Sequence, residues 1–222
     1  MKKIILIILI FFIIILLIII KKKEIKHEIQ KKICYNNIKH KIEEKICYND
    51  IKLVQFALKE YLKDFHNTCE KYNIKYWADG GTLLGAVREN NIIDHDDDAD
   101  ICLFEDDFVK LVKIYENDPN YHIVPGNTDE NYFINKFKIR GIDKVWIDIF
   151  IVEKLPNNII RYKYKKHQQI WPDFYYKEEE VFPIVKTKFA DFEINIPNNP
   201  IPYLERGYKD WKTPVVYKRH WL

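Results

Sequence analysis

The chain has 222 residues, room for one sizeable core at roughly 100–200 residues per domain, and its 47% hydrophobic and 15% aromatic content can fill it. A formal net charge of +3 is too small to argue for nucleic acid, so no nucleic-acid partner is expected. The four cysteines show no CxxC spacing and the seven histidines do not cluster, which sets aside a zinc site and a Ser-His-Asp hydrolase.

From the N-terminus, Ile4 to Ile20 is a run of seventeen Ile, Leu and Phe residues between Lys2-Lys3 and Lys21-Lys22-Lys23. Its length sits at the short end for a spanning helix, and no small residues mark a cleavage site. Residues 1–23 are therefore expected to form an uncleaved, single-pass transmembrane anchor that contacts the membrane through residues 4–20. Lysines are more numerous after the run than before it, which by the positive-inside rule favours a cytoplasmic catalytic part, but the sequence leaves both orientations open. Residues 24–49 are expected to form a helical stalk. Ile25, Ile29 and Ile33, then Ile38, Ile42 and Ile46, recur every four residues among lysines and glutamates, interrupted by Asn36-Asn37. Cys34 and Cys47 in this stalk can cross-link if they face an oxidising lumen.

Residues 50–222 read as an α/β catalytic domain. Asp50 to Lys71 carries Val54, Leu58, Leu62 and Phe65 on one face and predicts a helix. Ile74 to Ala78 predicts a short strand, Gly80-Gly81 a turn, and Leu83–Glu89 a helix capped by Thr82. Asp98–Phe104 predicts a strand, followed by a helix to Tyr115 capped by Asp106 or Asp107. Tyr132–Arg140 and Val145–Val152 predict two further strands joined near Gly141. From Pro156 onward, aromatic and proline-rich segments predict short helices and irregular connections.

The chemistry concentrates between Trp77 and Leu103, where a glycine-rich turn opening a helix precedes five aspartates, Asp94, Asp96, Asp97, Asp98 and Asp100. Acidic runs are most often solvated loops and Gly-Gly is most often a plain turn. Here, alternation in the strand puts Asp98 and Asp100 on one face, with Asp96 joining them if the extended conformation begins early. Carboxylates that share a face repel unless a cation sits between them, and hard oxygen ligands suit Mg²⁺ or Mn²⁺. The helix that begins at the glycines offers backbone N–H groups to a phosphate. Asp148 stands in the middle of the apolar run Val145–Val152, where an unpaired carboxylate is costly; it either meets a basic partner or reaches the same metal. Arg88, at the end of the glycine-turn helix, can approach a phosphate or the acids. Lys136, Lys138 and Arg140 share a strand face. For Lys138 and Arg140 a phosphate contact or a pairing with the acids is expected, whereas charge balance on an exposed face serves as well for Lys136. Cys102 is expected to be a buried small hydrophobe.

Asp79-Gly-Gly-Thr-Leu-Leu-Gly-Ala-Val-Arg88, Asp96-Asp-Asp-Ala-Asp-Ile101 and Trp146-Ile-Asp-Ile-Phe150 resemble the LicD/fukutin-type family over roughly residues 50–215. Tyr203 to Pro214 also resembles a family segment, whose aromatics either stack on a base or, the preferred reading, close the core. The resemblance implies a nucleotidyltransferase-like mixed sheet flanked by helices. It also implies a phosphotransferase that moves a phospho-alcohol, of phosphocholine or ribitol-phosphate type, from a CDP-linked donor onto a glycan or glycoconjugate acceptor. Asp96, Asp98, Asp100 and Asp148 then serve as catalytic and metal-binding residues for Mg²⁺ or Mn²⁺. Gly80, Gly81, Thr82, Arg88, Lys138 and Arg140 serve the donor. A eukaryotic setting would place the protein in an endoplasmic reticulum or Golgi-type membrane. His95 departs from the family, which usually has tryptophan there, and the domain is short. Two alternatives are nucleotidyl transfer on the same fold and an inactive, membrane-tethered binding module.

Overall fold

The computed structural model describes residues 12–23, 25, 26, 29, 51–126, 134–140, 142 and 145–214. It divides into two compact units, Met1–Glu44 and Lys45–Leu222. In the first unit, residues 12–23 are helical with exposed side chains. The expected membrane-spanning helix, and the membrane location drawn from it, are corrected here: among the described residues no helix is long and apolar enough to cross a membrane. Residues 4–11 of the expected span and residues 30–49 of the expected stalk, with Cys34 and Cys47, lie outside the described residues.

The second unit is a mixed α/β fold. Helix α1 (Ile51–Tyr72) leads into strand β1 (Tyr76–Ala78), helix α2 (Gly80–Arg88), strand β2 (Ala99–Phe104) and helix α3 (Glu105–Tyr115). Strands β3 (Tyr121–Val124), β4 (Asn135–Ile139), β5 (Trp146–Lys154) and β6 (Ile159–Tyr162) follow. Next come helix α4 (Lys165–Ile170), strand β7 (Tyr175–Lys177), helix α5 (Glu178–Val181), hairpin strands β8 (Val185–Phe189) and β9 (Phe192–Ile196), and helix α6 (Ile201–Tyr208). Seven strands make one sheet in the order β1-β2-β5-β4-β3, with β6 added to β5 and β7 to β6. The β2–β5 pair is parallel and its neighbours are antiparallel. The short helices expected after Pro156 are present, but the same stretch also holds four strands that were not expected, whose three to five residues each are too few for an alternation to stand out.

Helix α1 forms where the apolar stripe predicts it and buries Leu58, Leu62 and Phe65 completely. It stops because Asn73 takes the left-handed conformation, φ 53°. The N–H of Ile74 then donates to the Cys69 carbonyl at 2.9 Å and that of Asn73 to the Glu70 carbonyl at 3.4 Å, closing two carbonyls that the helix end would orphan. Phe65 packs edge-on against Tyr76 and Phe137, and Phe137 stacks on Tyr121 with centroids 5.1 Å apart. This aromatic cluster lies between α1, α3 and one face of the sheet. Helix α3 begins at Glu105 with Phe104 in the N-cap position and no side-chain cap bond, so neither Asp106 nor Asp107 caps it. Both lie inside the first turn, where their charge favours the helix dipole instead. Cys69 and Cys102 are buried free thiols.

Candidate active site

The other face of the sheet carries the acids. In the parallel β2–β5 ladder Asp100 lies directly beside Asp148, and in the β4–β5 ladder Lys136 lies on Asp148's other side. Registered neighbours project to the same side of a sheet, so these three side chains converge. Carboxylate oxygens of Asp98, Asp100 and Asp148 all fall within 4.8 Å of one another, and those of Asp96, Asp97 and Asp98 form a second set through the shared Asp98. The structure thus joins Asp96, Asp98 and Asp100 to Asp148. It also shows why the two readings of Asp148 competed, since this residue meets both a cation and the other acids.

The electrostatics are those of a crowded acidic site. Burial first, then the Asp98 charge, pushes Asp96 up to about 8. Asp100 is raised well above the carboxylate range by burial and by the charges of Asp98, Asp148, Asp79 and Asp96. Burial also raises Asp98, and it raises Asp148 to about 6, the latter opposed by Lys136. Each of these carboxyl groups holds protons more tightly because burial and like charge disfavour its ionised form. The Lys136 ammonium stands 3.2 Å from Asp148 Oδ1 and 3.6 Å above the Trp146 ring. The two form a buried ion pair, and Lys136 and Trp146 both act to lower the Asp148 carboxyl against the effect of its burial.

The glycine turn shapes the site by making room. Gly80 adopts φ +48°, a conformation that glycine takes without a steric penalty. A Cβ there would stand 2.6 Å from Asp100 Oδ2, and one on Gly81 would stand 2.7 Å from Asp96 Oδ2. The N–H of Gly81 donates to Asp100 Oδ2 at 3.2 Å, and that of Gly80 to the Tyr203 hydroxyl at 3.3 Å. Thr82 is not the helix cap: the N-cap is Asp79, and the Thr82 hydroxyl accepts the Asp100 N–H at 2.8 Å, tying α2 to β2.

Asp79 makes no cap bond either. Its fully buried carboxylate receives the hydroxyls of Tyr162 at 2.7 Å and Tyr176 at 2.6 Å, while its N–H donates to the Asp100 carbonyl at 3.1 Å. Tyr176 stacks on Tyr203 with centroids 4.1 Å apart, which brings α6 over the glycine turn. Tyr203 is fully buried. Burial and the charges of Asp100, Asp79, Asp96 and Asp98 push the Tyr208 hydroxyl upward, so the last residue of α6 also feels the acidic cluster. From the opposite side, Gln55 of α1 donates to the carbonyls of Ile93 at 2.8 Å and Asp96 at 3.0 Å, fixing the acidic loop.

The other expected donor-binding cations lie elsewhere. Arg88 pairs with Glu89 at 2.7 Å and donates to the Trp211 carbonyl at 3.1 Å. Lys138 lies 5.5 Å from the Trp146 ring centre, and Arg140 is exposed and donates to the Asp118 carbonyl at 2.9 Å. On β4, Lys136 reaches the Asp148 carboxylate. Asp79, Tyr162, Tyr176, Gln55 and Lys136 were not singled out as site residues by sequence reasoning. The signal for Asp79 was its place immediately before Gly80-Gly81; the others depend on register or on contacts distant in sequence.

Comparison with known proteins covers the same region. Residues 73–199 match the family described as LicD/FKTN/FKRP, nucleotidyltransferase domain. An uncharacterised protein of Rickettsia prowazekii (strain Madrid E) is 35% identical over 168 residues, covering 75% of this chain and 59% of that protein. The lipopolysaccharide cholinephosphotransferase LicD of Haemophilus influenzae (strain ATCC 51907 / DSM 11121 / KW20 / Rd) is 31% identical over 132 residues, 52% of this chain and 50% of that one. The ribitol-5-phosphate transferase FKTN of Homo sapiens is 26% identical over 167 residues, 72% of this chain and 34% of that one. The chain spans between about a third and three-fifths of the length of these relatives.

Proposed function

The chain belongs to the LicD/FKTN/FKRP family, in its nucleotidyltransferase domain, and from that premise we propose that it is a transferase of a substituted phosphate group. The donor is a CDP-linked alcohol of phosphocholine or ribitol-phosphate type and the acceptor is a hydroxyl of a glycan or glycoconjugate. One observation carries this reading: Asp98, Asp100 and Asp148 converge within 4.8 Å on a sheet face, beside a glycine turn whose shape leaves space for them.

These residues fit a divalent cation. Their oxygens are hard donors, and those of Asp98, Asp100 and Asp148 all lie within 4.8 Å of one another. If ionised, three carboxylates facing one lysine leave two negative charges unmatched, which is the charge of Mg²⁺ or Mn²⁺. Such an ion would supply stabilisation of negative charge on the phosphoryl oxygens and the leaving group. The chain's own residues set the geometry. Gly81 N–H and the β2–β5 register hold Asp100 in place. Gln55 holds the loop that carries Asp96, and either Asp96 or Asp148 would orient or deprotonate the acceptor hydroxyl. The Asp79–Tyr162–Tyr176 network closes the site beneath the turn. Catalysis on this arrangement rests on positioning and electrostatics, as is general for phosphoryl transfer.

The test is a screen of CDP-linked alcohols with the full chain, reading CMP release with and without Mn²⁺. The reading expects CMP and a phosphodiester-linked acceptor, released only with the metal. CMP attached to the acceptor would mean nucleotidyl transfer instead, and no turnover of any donor would contradict the reading.

A further inference from the structure

We propose that Lys136 is a phosphate-binding residue of this site, a fixed cation that engages the phosphoryl oxygens of the donor alongside the divalent ion. The proposal rests on the metal-dependent reading above and deepens it. Lys136 sits on the central antiparallel strand next to β5, in register with Asp148, so the fold delivers its ammonium to the carboxylates rather than to solvent. Its side chain is only 16% exposed. The ammonium has three N–H donors; it stands 3.2 Å from one carboxylate oxygen of Asp148 and 3.6 Å from the centre of the Trp146 ring, and it also feels the Asp98 charge. One carboxylate oxygen engages at most part of that donor set, and a ring face accepts no directional hydrogen bond of ordinary strength.

A buried ion pair is a weak device for stability. It is a useful one for binding. The Asp148 charge holds the ammonium over the site, and Trp146 limits where its head can go. Once a divalent ion shares Asp148, the attraction that draws Lys136 to that carboxylate falls. Phosphoryl oxygens brought to the same ion then offer the ammonium further charged acceptors. A lysine on a flexible four-carbon stem can make that short move, acting as a point charge toward phosphate. Lys138, two residues along the same face, instead lies beside the outer part of Trp146, and Arg140 is committed to the Asp118 carbonyl.

The experiment is calorimetric titration of the full chain, first with Mn²⁺ alone and then with inorganic pyrophosphate in saturating Mn²⁺. It compares wild type with Lys136→Met, which keeps the length of the side chain without its charge, and Lys136→Arg, which keeps the charge. Removing a cation from beside the carboxylates strengthens Mn²⁺ binding in Lys136→Met. Losing a charge-assisted hydrogen bond weakens pyrophosphate binding by about tenfold to a hundredfold. Lys136→Arg stays close to wild type in both titrations. If Lys136→Met binds pyrophosphate as well as wild type does, or if wild type binds Mn²⁺ but not pyrophosphate, the proposal is overturned while the metal reading stands. If wild type binds no Mn²⁺, the metal reading itself fails and takes the proposal with it. Where Lys136→Met does not fold, Lys136→Gln is titrated in its place under the same criteria.

Discussion

The two faces of the central sheet are built on opposite principles. On one, Phe65, Tyr76, Tyr115, Tyr121 and Phe137 are buried at 1% exposure or less and interlock through edge-on and stacked contacts. On the other, strands β2 and β5 and the residues leading into β2 carry Asp98, Asp100 and Asp148, whose ionised forms are disfavoured by burial and by neighbouring acids. The first face lowers the free energy of the fold by removing apolar surface from water, roughly 1.5–3 kcal/mol for each large side chain. The second raises it, because like charges close together in a poorly solvated site repel. An arrangement that costs stability and is held by Gly81, Thr82, Gln55 and the strand register is explained by what it binds rather than by what it supports.

That contrast breaks first at the carboxylates. Asp100→Asn is expected to lower CMP release by roughly 100- to 1000-fold, the loss typical of removing one electrostatic stabiliser. The melting temperature of the metal-free protein should stay level or rise as repulsion is relieved. A metal-free variant that melts far below wild type would make Asp100 a structural residue. Phe65→Ala should do the reverse. It is expected to cost about 3–5 kcal/mol in denaturant unfolding, while the protein that remains folded binds Mn²⁺ with wild-type affinity.

Gly80→Ala lies between the two faces in its effect. A side chain at φ +48° adds strain of about 1–2 kcal/mol, and its Cβ would displace the Asp100 carboxylate. Both stability and Mn²⁺ affinity should therefore fall, whereas a plain surface turn would lose only stability. The smallest effect concerns pH. Asp96, raised to about 8, binds protons more tightly in the folded chain than in the unfolded one. Its contribution to stability is thus lost as pH rises from about 4 toward 8. The metal-free melting temperature of wild type should fall over that interval relative to Asp96→Asn, and melts of the two proteins at pH 5 and pH 8 check this. His66, which burial pushes downward, acts in the opposite sense but is common to both and cancels in the difference.

Much of the first face was legible in the sequence. The stripe Leu58, Leu62, Phe65 predicted α1, and the continuous run Val145–Val152 predicted β5, because long periodic or apolar segments leave few alternatives. The short strands β6 to β9 were not legible, since three to five residues carry little periodicity. On the second face the four acids could be picked out from alternation and from the family resemblance, but register could not. Lys136, Lys138 and Arg140 have the same alternation, and only the pairing of Lys136 with Asp148 tells them apart. Thr82 likewise had the chemistry of a cap, yet the closeness of β2 gave its hydroxyl a different donor. Among the described residues no helix is long and apolar enough to cross a membrane, and residues 4–11 of the apolar run lie outside them.

The most direct measurement is anomalous diffraction from crystals of the protein soaked in Mn²⁺. The account predicts one strong peak among the carboxylate oxygens of Asp98, Asp100 and Asp148, lost in crystals of Asp100→Asn. A peak at other residues, or none at this cluster under conditions in which the protein turns over donor, would contradict it.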